Sequence, residues 1–292
     1  MAQQHHPPIG EIRRAVAVAL AEDLTPLGDL TSALLDPGLM AVADIVPRTA
    51  GVLAGTRCAT EAFAQLDPDV TVEWSADDGD EVDARQVVGR VAGPLASILT
   101  GERTALNFLN HLSGVATLTA RYVEAAASRG GTARVWDTRK TTPGLRALEK
   151  AAVRAGGGWN HRGNLSDWVM FKDNHLARIG IAEAVRRARA TWPVRSVHVE
   201  CDDLAKVAEA LEAGADAILL DNLGPDDVRK AVALADDHVA GVGGRRPLLE
   251  ASGGVTIETI GELAATGVDV VSTSQITLSA PVLDIGLDIE LI

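Results

Sequence analysis

The chain has 292 residues, 47% of them hydrophobic, which is enough to bury a large core in one big domain or two moderate ones. Its formal net charge of −13 argues against general affinity for nucleic acid or an anionic membrane, because both would repel it, so an anionic ligand must meet a local exception. No apolar run approaches the ~18 residues of a spanning helix, and the start MAQQHHPPIG lacks the basic and apolar regions of a signal peptide, which predicts a cytoplasmic protein.

In chain order, the periodicity predicts a helix over 9–22, then β-like runs at 41–46, 69–74 and 86–92 joined by Gly, Pro and Asp turns. This part carries no concentrated basic cluster and reads as scaffold. The piece DGDEVDARQVVGRVAG is similar to the hairpin of a biotin or lipoyl carrier, yet it has no lysine, which excludes prosthetic-group attachment there. GERTALNFLNHLSG, from residue 101, reads as an amphipathic helix; on that reading Arg103 is a solvated first-turn residue. Cys58 and Cys201 are far apart and lack a metal-ligand spacing, so they read as plain buried thiols.

From residue 133 the pattern changes. Short apolar runs at 133–136, 168–171, 196–199, 217–220, 248–251 and 268–271 alternate with helical periodicity at 144–155, 178–191, 203–213, 225–236 and 256–266, the signature of βα units around a parallel sheet. Gly156, Gly214 and Gly267 stand as helix stops. Six repeats are too few to close an eight-unit barrel, so the expected fold is an incomplete β/α barrel.

Each run ends in polar chemistry: Asp137-Thr138-Arg139-Lys140, Lys172-Asp173-Asn174-His175, Glu200, Asp221-Asn222, Ser252-Gly253-Gly254 and Ser272-Thr273-Ser274. In a β/α barrel those ends converge on one mouth. Between Arg139 and Lys172 lie seven basic residues against two acids, Glu149 and Asp167, a local surplus of +5. Arg146, Lys150 and Arg154 share a helical spacing and read as a solvated helix face. Arg139, Lys140, His161, Arg162 and Lys172 lie outside that helix and are the candidate site. Arginine's planar fork suits carboxylates, whereas lysine is a compact charge suited to phosphate oxygens. Ser252-Gly253-Gly254, between a strand and a helix, can present backbone N–H groups to a phosphate. Glu200 and Asp221 can hold sugar hydroxyls, hold a magnesium ion, or stabilise a developing cation. An anionic, sugar-bearing substrate follows.

The stretch DTRKTTPGLRALEKAAVRAGGGWNHRGNLSDWVMFKDNH, residues 137–175, resembles the signature of the quinolinate phosphoribosyltransferases nearly end to end. GERTALNFLNHLSGVAT, LLDN, SGG and LDIGLDI are similar to that family in the same order, so the resemblance spans almost the whole chain. A molybdenum-associated paralogue family shares the RKT-PG and AGGG elements but lacks the intact NHR and KDNH segments present here. The resemblance implies an α/β chain with two domains: an N-terminal mixed α/β sandwich over 1–108, completed by 283–292, and the barrel over 109–282. It implies transfer of a phosphoribosyl group from phosphoribosyl pyrophosphate to quinolinate with decarboxylation, using Mg2+. Arg139, His161, Arg162 and Lys172 would surround the dicarboxylate with Thr138 beside them, Lys140 would lie near the phosphates, and Glu200 and Asp221 near ribose and metal. Arg103 would reach a neighbouring subunit's site, which makes a homodimer, or a higher oligomer, the expected assembly, with the sandwich closing the partner's barrel mouth. The chain departs from the family pattern at Ser274 and Leu278, where glycine and histidine are usual. Ser274 can still offer an N–H and a hydroxyl to phosphate; Leu278 cannot. Two other classes remain open from sequence: a Schiff-base lyase using Lys172 or Lys140, and a non-catalytic anion-binding paralogue.

Overall fold

The structure is a computed structural model and describes residues 5–292; the first four residues of the start MAQQHHPPIG lie outside that range. In order come α1 (Ile9–Leu24), β1 (Met40–Pro47), β2 (Gly51–Val52), α2 (Thr56–Leu66), β3 (Thr71–Trp74), β4 (Glu81–Val82), β5 (Gly89–Pro94) and the long α3 (Leu95–Ala127). Next are β6 (Arg134–Trp136), α4 (Arg146–Ala155), β7 (Val169–Phe171), α5 (Asp173–Ile179), α6 (Ile181–Thr191), β8 (Val197–Cys201) and α7 (Leu204–Glu212). The chain continues through β9 (Ala217–Asp221), α8 (Pro225–Val242), β10 (Leu248–Ser252), α9 (Ile260–Ala264), β11 (Val270–Ser272), α10 (Gln275–Leu278) and β12 (Ile285–Leu291). By its contacts the chain divides into two units: one holds the chain up to Ala120 with Thr141–Gly157 and Ile276–Ile292, the other Arg121–Lys140 with Gly158–Gln275. The fold is α/β, an incomplete β/α barrel plus an N-terminal mixed α/β sandwich.

The first unit is built on a four-stranded antiparallel sheet of order β12-β1-β5-β3. Ala41, Ala43 and Ile45 of β1 alternate inward at 0–1% exposure, the two-residue period of a half-buried strand. Ile12, Ala15, Val16 and Leu20 recur on one face of α1 and are its buried residues. The start of α2 is held by buried Asp78, whose carboxylate accepts from the N–H groups of Gly55 at 3.1 Å and Thr56 at 3.0 Å. A negative charge there also favours the helix dipole. The expected carrier-like hairpin does not form: β4 pairs with β2, while β5 runs between β1 and β3.

The helix predicted over 144–155 is α4, but its contacts assign it to this first unit and not to the unit of the barrel strands. The solvated face expected for Arg146, Lys150 and Arg154 is also absent. Lys150 is buried, the two arginines are half-buried, and Arg154 donates to the carbonyls of Lys150 and His6. The reason is that α4 is enclosed on most sides: Glu149 is itself fully buried, bonded by His111 Nε2 at 2.8 Å and by the Thr142 N–H at 3.1 Å. Polar groups taken out of water must find such partners.

The second unit carries a six-stranded parallel sheet of order β6-β11-β10-β9-β8-β7, so all six predicted apolar runs became strands. The first strand pairs with the last, as in a barrel wall, and the free side of β6 is extended by a bridge between Trp136 and Trp159. The helix predicted over 178–191 starts later, as α6 after Gly180 at φ 68, and a short helix outside the prediction, α5 over Asp173–Ile179, precedes it. A left-handed backbone cannot continue an α-helix. The helix predicted over 225–236 runs on to Val242, and the one over 256–266 shortens to Ile260–Ala264. Cys58 and Cys201 are free and buried, and burial pushes both thiols up to about 12, so neither supplies thiolate near neutrality. No described helix is long and apolar enough to cross a membrane.

Candidate active site

The C-terminal ends of the parallel strands line one cavity of about 390 Å³ within the second unit. Thr138, Arg139 and Lys140 come from the segment after β6, Lys172 follows β7, Glu200 lies near the end of β8, Asp221 ends β9, and Ser252 and Gly253 come from the end of β10. His161 and Arg162 enter from the segment after Trp159. Thirty residues of sequence separate several of these groups, and the parallel register alone brings them to one mouth.

The cationic wall rests on a buried acid. Asp137 is fully buried, and its carboxylate accepts from Asn160 Nδ2 at 2.7 Å and from the His161 N–H at 2.8 Å, so it fixes the backbone that presents His161 and Arg162. Those two side chains are buried at 7% and 8% exposure. Their surround is aromatic: the His161 ring meets Trp168 edge-on at 4.9 Å and Trp136 at 5.8 Å, and Trp168 stacks on His198 at 4.7 Å. Burial, then repulsion from Arg139, lowers the Arg162 pKa, with Asp167 and Glu250 working the other way. Its Nε is buried without a hydrogen-bond partner. A guanidinium held against such a penalty gains from an incoming anion, and two of them side by side suit paired carboxylates.

The other wall is mixed in sign. Lys172 Nζ is bound to the Glu200 carboxylate in a close ion pair, with the lysine side chain 46% exposed and the glutamate 13%. Asp221 accepts from Asn222 Nδ2 at 2.9 Å, and the Asn222 N–H donates to the Ser252 carbonyl at 2.9 Å, tying the ends of β9 and β10 together. Asn222 at φ 56 and Gly253 at φ 92 both adopt left-handed backbone to make that junction. Lys140 is exposed at the mouth, its N–H bonded to Thr138 Oγ1 at 3.0 Å.

Arg103, Gly254 and Ser274 are not among the residues that line this cavity. Arg103 is exposed on α3 in the first unit, Gly254 is exposed just beyond Gly253, and Ser274 is half-buried between β11 and α10. Leu278 is 55% exposed at the end of α10. Ser272 was named only as a polar strand end, and sequence reasoning missed Glu250, Met170, Leu219 and His198. Ser272, Glu250, Met170 and Leu219 line the cavity, and His198 lies against its aromatic wall. For Glu250 a signal existed: an acid inside the apolar run LLEA must either face water or be buried with a purpose. Met170 and Leu219 carried none, since an apolar residue in a strand reads as core.

A parallel β/α sheet whose strand ends gather a buried arginine, a half-buried one, lysines and a pair of carboxylates defines an anion-handling enzyme of the barrel class. Residues 29–113 match the family profile described as "Quinolinate phosphoribosyl transferase, N-terminal domain", and residues 115–288 match the corresponding "C-terminal domain". The chain belongs to the quinolinate phosphoribosyl transferase family. It is 41% identical over 266 residues to a probable nicotinate-nucleotide pyrophosphorylase [carboxylating] of Bacillus subtilis, covering 90% of this chain and 89% of that one. It is 39% identical over 281 residues to the nicotinate-nucleotide pyrophosphorylase [carboxylating] of Mycobacterium leprae, covering 95% and 96%. Among solved structures, the nicotinate-nucleotide pyrophosphorylase of Francisella tularensis superposes with a TM-score of 0.92 at 35% identity, covering 99% of this chain and 100% of that one.

Proposed function

We propose that this chain joins quinolinate to phosphoribosyl pyrophosphate, releasing pyrophosphate and carbon dioxide and forming nicotinate mononucleotide. The observation that carries this reading is the buried Arg162 guanidinium and the buried His161 imidazole beside Arg139 in one cavity of a strongly acidic chain. Membership of a family whose relatives bear the names quinolinate phosphoribosyltransferase and nicotinate-nucleotide pyrophosphorylase supports it.

In this reading Arg139, His161, Arg162 and Lys172 orient the two ring carboxylates, with Thr138 at their side. Lys140 and the Ser252-Gly253 turn hold phosphate oxygens; Gly254 and Ser274, outside the cavity lining, would contribute only by contact with a bound phosphate that reaches beyond it. Glu200 and Asp221 face the ribosyl centre and stabilise the positive charge that grows at C1 as pyrophosphate leaves. The ring nitrogen then forms the bond to C1 and becomes cationic. That charge accommodates the electron pair left at C2 when the 2-carboxyl group departs as carbon dioxide; a proton then takes its place, and the 3-carboxylate remains. Lys172 has a role in timing: its partner in the free site is Glu200, so a substrate carboxylate that engages Lys172 releases Glu200 toward the ribose. Magnesium fits the same side, because Glu200 and Asp221 offer hard carboxylate oxygens that line one cavity, and such ions are held by one or two carboxylates together with substrate phosphates. When bound, the ion would neutralise the leaving pyrophosphate. The Schiff-base alternative needs a desolvated amine, whereas Lys140 is exposed and Lys172 is both half-exposed and ion-paired. Assembly as a homodimer, with Arg103 entering the neighbouring site, belongs to the same proposal.

The test is incubation with quinolinate, phosphoribosyl pyrophosphate and magnesium, with nicotinate mononucleotide detected by mass. Binding of both substrates without product would support a non-catalytic paralogue. Nicotinic acid should be a poor substrate, because one carboxylate leaves part of the Arg139, His161 and Arg162 cluster unmatched, and an uncompensated buried charge is costly. Comparable kcat/KM for the two acids would remove the dicarboxylate assignment.

A further inference from the structure

The floor of the cavity contains an acid that the mechanism above does not use. Glu250, at the centre of β10, is 1% exposed and lies between the two walls. One carboxylate oxygen faces His161 Nε2 at 3.4 Å. The other accepts from the Ser272 hydroxyl in a short hydrogen bond, and Ser272 Oγ is in turn 3.0 Å from Ser252 Oγ. Two strands and a segment beside a third are thereby linked side chain to side chain: Glu250 and Ser252 on β10, Ser272 at the end of β11, and His161 in the segment next to β6.

A buried carboxylate is expensive unless its oxygens are matched by donors and positive charge. Here burial pushes the Glu250 pKa up, but His161 and the Ser272 hydroxyl act the other way and leave the group below the ordinary glutamate value. His198, the third member of this buried cluster, has its imidazole driven down to about 4 by burial, so near neutrality it brings no charge of its own. The other charged groups acting on the cluster are Arg162, which Glu250 favours, with Arg139 and Asp167 beyond it, and Asp216, which acts on His198. Glu250 is therefore the central buried anion under the cationic wall, and it is joined through one hydroxyl to the turn assigned to phosphate.

We propose that Glu250 is a positioning residue that orients His161 toward the substrate carboxylates and, through Ser272, sets the hydroxyl of Ser252 on the phosphate side, so that one buried acid aligns both substrates. The inference rests on the function proposed above. The Glu250–Ser272–Ser252 part is hydrogen-bonded, and removing one member of such a chain costs more than one contact, while the His161 imidazole is held opposite the second carboxylate oxygen at 3.4 Å.

The experiment compares Glu250→Gln and Ser272→Ala with the unmodified protein, measuring KM for quinolinate, KM for phosphoribosyl pyrophosphate and kcat, together with the urea midpoint. Glu250→Gln keeps the volume and removes the charge, so both KM values should rise, each by roughly tenfold, the scale of one charge-assisted hydrogen bond. Ser272→Ala cuts the link to Ser252 while leaving Glu250 facing His161. It should raise KM for phosphoribosyl pyrophosphate several-fold and change KM for quinolinate less than twofold. A lower urea midpoint with both KM values unchanged, in either variant, would make Glu250 structural only and overturn the proposal; so would a Ser272→Ala variant affecting both substrates equally. If Glu250→Gln does not fold, the Ser272→Ala split alone decides. Absence of turnover in the unmodified protein would instead overturn the parent reading. Calorimetric binding of quinolinate and of phosphoribosyl pyrophosphate to the same variants would then test the alignment on its own.

Discussion

Arg162 and Lys140 carry the same charge in one cavity, yet their surroundings assign them different work. Arg162 is buried at 8% exposure with its Nε shielded from water, whereas Lys140 is exposed at the mouth. Arg162→Lys keeps the charge and loses the planar fork, so quinolinate binding should weaken by about 1.5–3 kcal/mol while phosphoribosyl pyrophosphate binding changes little. Lys140→Arg should lower turnover more than quinolinate affinity, because a compact charge that must follow the leaving pyrophosphate is misplaced. Calorimetry of each ligand with each variant, paired with steady-state rates, checks both; an Arg162→Lys variant that spares quinolinate would reverse the assignment of the two walls. His198 makes a separate prediction about stability. Its folded pKa of about 4 lies below that of an unfolded histidine, so on acidification from about 6.5 the unfolded chain takes up the proton first. Stability should therefore fall as pH drops from about 6.5 to 4, by on the order of 2 kcal/mol from this residue, and the depressed Glu250 adds to the loss at the acid end. Urea unfolding of His198→Gln should show a shallower pH dependence over that window, and an unchanged slope would remove His198 from the account.

At the scale of elements, the site depends on how the ends of β9 and β10 meet. A Cβ on Gly253 would stand 2.3 Å from Asn222 Oδ1 and 2.8 Å from the Asn222 backbone nitrogen, at a φ of +92 that side chains rarely adopt. Gly254 also has positive φ, at +59, but open space around it. Gly253→Ala should thus cost about 1–3 kcal/mol in urea unfolding and raise KM for phosphoribosyl pyrophosphate, with Gly254→Ala milder in both. Equal effects would mean that backbone strain, not the contact with Asn222, governs the turn. The six strands were legible because buried parallel strands are short continuous apolar runs, and the strand-end polar residues were legible because capping and turn chemistry follow those runs. Helix α4 shows the limit. Its periodicity was plain, but charges at helical spacing read as solvated until packing shows that Glu149 and Lys150 are enclosed and partnered.

For the whole molecule, the exposure of Arg103 on α3 is the observation that bears on assembly. If Arg103 completes the site of a second copy, then inactive Arg103→Ala mixed with inactive Lys172→Ala should recover activity, since a mixed dimer contains one site with both residues intact. Chromatography with labelled subunits establishes exchange, and no recovery after proven exchange would place Arg103 within its own chain's site, or outside any site. The two units are interleaved in sequence: β12, from the end of the chain, pairs along β1 from Ala41↔Leu291 to Pro47↔Ile285, and α4 belongs to the same unit.

What the sequence determined by itself was local and periodic: six apolar runs, their polar ends, the +5 segment and the extended resemblance from 137 to 175, all set by residue types at short spacing. What only the tertiary structure decided was long-range. The placing of α4, the pairing of β12 with β1, the enclosure of Glu250 between His161 and Ser272, and the pairing of Lys172 with Glu200 each join residues at least 22 positions apart or depend on what surrounds a helix. Burial and charge partners arise from packing in three dimensions, and a one-dimensional pattern of apolar and polar residues does not specify which distant group will satisfy a buried one.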